Sequence, residues 1–172
     1  MHERSIMVEP LRANRSNGAE PTKLERVVTE LPAGFDVLRA EARSEKYANL
    51  DRLAEQWNAN TVRFNRESET LLAARIDDAL AGIGGLTIDP VQSGALRMRR
   101  FYVGKSFRRT GVGRAIAENL LARAHASGRL VTVNAASGSE PFWEAMGFVP
   151  ELRDGHTHVL SYAANSSPRK AG

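Results

Sequence analysis

Arg108-Arg109-Thr110-Gly111-Val112-Gly113-Arg114 is the stretch on which the reading of this chain turns. It has the form Arg-x-x-Gly-x-Gly, and it separates an apolar run, Leu96 to Val103, from residues whose apolar positions recur at helical spacing: Ile116, Ala117, Leu120, Leu121 and Ala124. A strand, a glycine turn and an amphipathic helix are therefore expected in that order. Glycines in the turn let the backbone approach an anion with its N–H groups unshielded, and a helix starting there adds free N–H groups and the positive end of its dipole. The pattern predicts a cradle for phosphate. It is not the dinucleotide fingerprint, which needs a third glycine where Ile116 stands. Nor is it a P-loop: Gly104, Lys105 and Ser106 match the end of that motif, but its first glycine would fall on Arg99.

The surroundings narrow the choice. Downstream lies Phe142-Trp143-Glu144-Ala145-Met146-Gly147-Phe148, an aromatic-rich segment ending in Gly-Phe. With Phe101-Tyr102-Val103 before the turn and this segment after it, the chain resembles the GNAT superfamily of acyl-coenzyme A-dependent N-acetyltransferases, whose signature is Gln or Arg-x-x-Gly-x-Gly or Ala. Arg108, Gly111 and Gly113 fill its positions. The resemblance covers about residues 35–162. It implies an α+β fold: a mixed, mostly antiparallel sheet splayed between its fourth and fifth strands and flanked by helices.

The 172 residues suit one domain, and 42% hydrophobic with 26% charged residues is an ordinary globular composition. Residues 1–21 read as a disordered leader, 22–34 as a short helical extension, 35–162 as the domain and 163–172 as a flexible tail. In the extension, Thr22 and Glu25 resemble a capping box ahead of Leu24, Val27, Val28 and Leu31. Phe35 to Ala42 reads as a first strand, Ser44 as the cap of a helix carrying Tyr47, Leu50, Leu53, Ala54 and Trp57 on one face, and Leu71–Arg75 with Leu80–Leu86 as a hairpin loosened by Gly82, Gly84 and Gly85. Leu130 to Asn134 and His156 to Tyr162 are the remaining strands expected. With no apolar run of membrane-spanning length and a polar start, Met1-His2-Glu3-Arg4, the expectation is a cytoplasmic protein without membrane contact. No cysteine is present, and four histidines form no zinc pattern, so no metal is expected.

The net charge is +4, but its distribution says more. Between Asp89 and Glu118 no acidic residue occurs, while Arg97, Arg99, Arg100, Lys105, Arg108, Arg109 and Arg114 accumulate. A nucleic-acid surface would interleave stacking aromatics through the whole of such a cluster, and here they are not so interleaved, so a field for the phosphates of coenzyme A is the better reading. Arginines on a cleft strand could also recognise a carboxylate or phosphate on the acceptor.

The resemblance implies acetyl-CoA as co-substrate and direct attack by an amine of a small molecule or protein. Backbone groups of Phe101 and Val103 would pair with the pantetheine arm beside Tyr102. The amides from Arg109 through Thr110, Gly111, Val112, Gly113 and Arg114 would bind the pyrophosphate, with charge from Arg108 and Arg109, and Phe142 and Trp143 would wall the groove. Asn134 is expected either to contact the arm or a water or to satisfy loop backbone. Many members carry a tyrosine acid where this chain has Trp143, and some a strand glutamate where it has arginines. Tyr102 and Tyr162 are left as candidate acids, and Asp89, Glu140 and His158 as candidate bases, His158 having the best-suited pKa. The alternative is a non-catalytic acyl-CoA sensor. By analogy with such folds a homodimer is compatible with the chain.

Overall fold

The computed structural model of the protein describes residues 21–162. Apart from Pro21, the expected leader and tail lie outside the described residues. The sheet grows from a tight hairpin. Strands β2 (Thr70–Ile76) and β3 (Ala79–Ile88) pair antiparallel, and the residues between them, Asp77 and Asp78, both take left-handed backbone angles (φ 47° and 64°), as a two-residue hairpin turn requires. Strand β4 (Leu96–Val103) adds antiparallel to β3, and β5 (Val131–Val133) adds parallel to β4. Strand β7 (His156–Leu160) then pairs antiparallel with β5, and β6 (Val149–Arg153) closes that edge. With β1 (Lys23–Arg26) on the opposite edge, the order is β1-β2-β3-β4-β5-β7-β6, a mixed sheet whose single parallel pair among the described residues is β4–β5.

Strand alternation divides the core between two faces. Leu72 and Ala74 lie on the face of α3 (Val112–Ser127), in one core cluster with Ile116 and Leu120 and with Trp143 of α4 (Glu140–Ala145). Leu71 and Ala73 lie on the other face, in one core cluster with Leu38 of α1 (Phe35–Ser44) and with Leu53 and Trp57 of α2 (Asn49–Asn58). Each such leucine contributes roughly 1.5–3 kcal/mol by leaving water. The feature that matters for function is where pairing stops. β4 and β5 share only the pairs Leu96↔Val131, Arg97↔Thr132 and Met98↔Val133. From Arg99 onward the edge of β4 has no strand beside it, and the sheet splays as expected.

Four local expectations are corrected. Residues 22–34 contain no helix: Lys23–Arg26 pairs antiparallel with β2, from Lys23↔Arg75 to Arg26↔Leu72, because the free edge of β2 offers a ladder of backbone partners to a segment too short, before Pro32, for a stable helix. Phe35 to Ala42 is helix α1 and not a strand; its buried residues Phe35, Leu38 and Ala42 follow the helical period, and Val37 is 74% exposed. Ser44 ends that helix, donating from Oγ to the Glu41 carbonyl, and does not cap the next, which begins at Asn49. Strand β6 escaped detection because an edge strand with four exposed residues and Pro150 carries no period of apolar residues. The hairpin, β4, α3 and β5 stand close to their expected bounds, and the aromatic segment begins within a short helix, Glu140–Ala145.

Candidate active site

The splay opens a cleft of about 1010 Å³ between β4 and β5. Its floor is shaped by a bulge. Ile83 pairs with Tyr102 and Gly85 with Arg99, so two residues of β4, Arg100 and Phe101, stand opposite Gly84 alone, and Arg100 takes φ 62°. Gly84 is required there: a Cβ would lie 2.8 Å from the Phe101 ring and 2.9 Å from Ile116. The glycines of β3 thus admit close packing and do not loosen the strand. The bulge also reverses the alternation. Before it, Leu96 and Met98 face α3 while Arg97 and Arg99 face the other way; after it, Phe101 and Val103 face α3 and Tyr102 packs toward α1. The Gly104 N–H donates to the Ala81 carbonyl, toward β3, so by parity the polar groups of Phe101 and Val103 lie along the unpaired edge.

At one end of the cleft lies the expected anion cradle. Gly111 is the N-cap of α3 in the left-handed region (φ 89°), and no side chain caps the helix. The first intrahelical bond runs from the Ala115 N–H to the Gly111 carbonyl at 2.9 Å, which leaves the amides of Val112, Gly113 and Arg114 without a helical acceptor. No acidic residue stands in that first turn. A Cβ on Gly113 would meet Val103 at 3.4 Å and Phe142 at 3.5 Å, within the groove. Arg109 is exposed and makes no side-chain bond to a described residue, whereas Arg114 is bonded to Glu118 at 2.7 Å.

The cleft brings together Phe101, Tyr102, Val103, Arg108, Arg109, Gly111, Val112, Gly113, Arg114, Asn134, Phe142 and Trp143. Asn134 follows β5 directly and is exposed at the splay. Trp143 is buried among Phe101, Phe142 and Phe148, edge to face at centroid distances of 4.8, 4.9 and 5.4 Å, and forms the groove wall. Thr110 does not line the cleft; its hydroxyl donates to the Phe107 carbonyl and holds the turn before the cradle.

Several roles read from the sequence are not met. His158 is 4% exposed and lies outside the cleft, its ring nitrogens 2.7 Å from Thr157 Oγ1 and 3.2 Å from Glu144 Oε1. The Tyr102 hydroxyl lies 2.5 Å from Glu45 Oε1 and 3.1 Å from Glu41 Oε1; burial and then these two carboxylates hold its pKa far above the usual phenol value, so it is a poor source of a proton. Asp89 is outside the cleft and fully engaged, accepting from Arg97 Nη2 (2.9 Å), Thr132 Oγ1 (2.6 Å) and the amides of Val91 and Gln92. Burial pushes its pKa up, and those bonds together outweigh it and leave the carboxyl below its ordinary value. Glu140 and Tyr162 also lie outside, Tyr162 donating to the Leu121 carbonyl. Arg108 borders the cleft, but its guanidinium donates to Glu45 at 2.6 and 3.0 Å and to the Val103 carbonyl at 3.0 Å. Bonds from Arg108, then Tyr102, hold the Glu45 carboxyl down to about 2. Arg108 therefore anchors the loop to α1.

Three residues were missed. Glu41 and Glu45 are one helical turn apart at the end of α1, Glu41 also accepting the Lys105 N–H at 2.6 Å, and reading 35–42 as a strand hid their shared face. Asn49 opens α2 and donates from Nδ2 to the Phe101 carbonyl at 2.6 Å; nothing local in the sequence signals that reach. No aspartate, glutamate or histidine lines the cleft among the described residues, and no cluster of three metal-ligating side chains forms among them.

A family model described as an acetyltransferase (GNAT) domain matches residues 39–159. The chain belongs to the GNAT acetyltransferase family. No curated relative matches its sequence. The GNAT fold is shared with a candidate acetyltransferase from Exiguobacterium sp. 255-15, at 21% identity and TM-score 0.75, covering 82% of this chain and 93% of that one. It is shared too with a GNAT family acetyltransferase from Brucella melitensis in complex with acetyl-CoA (15% identity, TM-score 0.59, 85% and 91% covered). A GNAT family N-acetyltransferase from Escherichia coli in complex with CoA is similar at 15% identity and TM-score 0.60, with 85% and 84% covered.

Proposed function

We propose that this GNAT protein transfers an acetyl group from acetyl-CoA to an amine in a ternary complex. The observation that carries the reading is one continuous groove: the uncapped N-terminus of α3 at Gly111–Arg114, then the unpaired edge of β4 at Val103 and Phe101, then the polar space beside Asn49 and Asn134. That sequence suits a pyrophosphate, a pantetheine arm and a thioester in turn. The similar structures bound to acetyl-CoA and CoA support it.

The chemistry asks little beyond placement. The neutral amine nitrogen attacks the thioester carbonyl and the C–N bond forms, the nitrogen gives up a proton to water, the C–S bond breaks, and the thiolate takes a proton from solvent. Holding the two reactants together supplies much of the rate, and an amide on the β4 edge can stabilise the oxyanion. Among the described residues no carboxylate or imidazole lines the cleft, so water takes the proton of the incoming ammonium. The positive field of the cleft arginines helps, because it disfavours a bound cation and lowers the acceptor's pKa. An acyl-CoA sensor is the second reading, favoured by the same lack of a titratable acid or base in the cleft.

The test is calorimetric titration of acetyl-CoA, followed by thiol release across an amine panel. Binding with amine-dependent thiol release is expected. Binding without release on any amine would favour the sensor, and no binding would remove both readings.

A further inference from the structure

Beyond the thioester position the cleft becomes a basic chamber. Arg52 of α2 and Arg97, Arg99 and Arg100 of β4 all line it. They differ in what holds them. Arg97 is engaged by buried Asp89 and Thr132. Arg100 donates from Nη2 to Gln56 Oε1 at 2.8 Å, but its Nε is buried with no partner. Arg99 is half-buried, and neither it nor Arg52 makes a side-chain hydrogen bond or ion pair with any described residue. Asn49 Oδ1 is a further buried polar atom without a partner at this wall.

The carboxylates whose fields reach Arg99 are already used: Asp89 by Arg97 and Thr132, and buried Glu69 by the amides of Ile88 and Arg66. Burial comes first, and repulsion by the neighbouring guanidiniums adds to it, in lowering the pKa of Arg99 and in bringing Arg100 down to about 10. A half-buried guanidinium without an anion is a costly arrangement, and one that a ligand carrying that anion relieves. Coenzyme A does not supply it in the groove described above. Its pyrophosphate end sits past Val103, four positions along the bulged strand from Arg99, roughly 10–13 Å.

We propose that the acceptor amine carries an oxyanion, a carboxylate or a phosphate, which pairs with Arg99 and Arg52 while Arg100 supports it from the bulge. This rests on the transferase reading and names the substrate class for the same cleft. The fork geometry of two guanidiniums suits either anion. Pairing also sets the amine's position: an anion fixed at Arg99 directs the rest of a short acceptor toward the thioester.

The test uses matched probes on the whole chain. Amino acids against their carboxamides, and aminoalkyl phosphates against the parent amino alcohols, are titrated calorimetrically into the CoA-loaded protein, and thiol release from acetyl-CoA is followed with the same compounds. The anionic member of a pair is expected to bind about 10- to 100-fold more tightly, as one or two charge-assisted bonds allow, and which pair responds tells carboxylate from phosphate. Arg99→Gln should erase that preference with acetyl-CoA affinity intact, and Arg52→Gln, at an exposed position, should reduce it without risk to folding. Equal binding of both members overturns the proposal even if thiol is released. Loss of acetyl-CoA affinity in Arg99→Gln overturns it too, assigning the arginine to the donor. An anionic preference without thiol release upholds the site and instead defeats the transferase reading.

Discussion

Substitutions at Gly111 and Gly113 separate a phosphate cradle from a mere turn, because the two glycines are needed for different reasons. Gly111 has φ 89° and open space where a Cβ would stand, so Gly111→Ala incurs the left-handed penalty and no clash, about 1–2 kcal/mol. For a domain of this size that lowers Tm by about 2–8 °C. Gly113 lies inside the first turn of α3 with no left-handed angle, and its Cβ would find ordinary contacts, 3.4 Å to Val103 and 3.5 Å to Phe142. Gly113→Ala should therefore be neutral or gain up to about 1 kcal/mol from lower chain entropy. The signature admits alanine at this position, so one methyl group is compatible with a phosphate on the amides, whereas the longer, negatively charged side chain of Gly113→Glu would stand where the phosphate must approach and would repel it. At a concentration of about 100 times Kd, acetyl-CoA should stabilise the wild type by about 2.7 kcal/mol. The assay is thermal unfolding with and without acetyl-CoA. Gly113→Ala should keep or raise the ligand-free Tm and keep the ligand-induced rise, and Gly113→Glu should lose most of that rise. A full ligand-induced rise in Gly113→Glu would refute the reasoning, since the approach to the helix terminus would then play no part in binding.

Three further outcomes follow from the same geometry. Glu45 is held at about 2 against an ordinary 4.5, so its contribution to stability is complete above pH 4.5 and disappears as pH falls toward 2; acid unfolding followed by circular dichroism should show wild type and Glu45→Gln converging over that window, and a constant gap would count against the Arg108 anchor. Asp89→Asn leaves buried Arg97 without its counter-charge and should cost about 3–5 kcal/mol in denaturant unfolding, whereas a loss below about 1 kcal/mol would mean the pair is dispensable. Tyr102→Phe and His158→Ala should leave the pH–rate profile unchanged in shape, because the Tyr102 hydroxyl is tied to Glu41 and Glu45 and His158 lies outside the cleft; a lost limb in either would restore that residue to catalysis.

The legible parts of the protein are those whose physics is local. The cradle depends on Gly111 in a left-handed angle and on a helix beginning at the next residue, and both are properties of neighbouring positions. The buried stripe of α3 and the Asp77-Asp78 hairpin are of the same kind. The elements misread are those that local pattern leaves balanced. Lys23–Arg26 is equally a weak helix start or an edge strand, and only the vacant edge of β2 decides. Phe35–Ala42 fits either period in so short a window, and packing of Phe35, Leu38 and Ala42 against the sheet selects the helix. Strand β6 has no buried face to announce it.

By itself the sequence determined the phosphate turn, the helix that follows it, the alternating strands that build a two-faced sheet and the excess of positive charge around the turn. Tertiary structure alone decided what the arginines and the titratable groups do. The bulge opposite Gly84 exists only through pairing of β3 with β4, and it turns Phe101 and Val103 to the α3 face and Tyr102 to the other. Glu45 reaches Tyr102 and Arg108 across 57 and 63 residues, and Asp89 reaches Thr132 across 43, so which charge is paired and which is free follows from long-range contacts. A turn is written in the dihedral preferences of adjacent residues, whereas the face a side chain presents, and the partner that neutralises it, depend on a register set by distant segments.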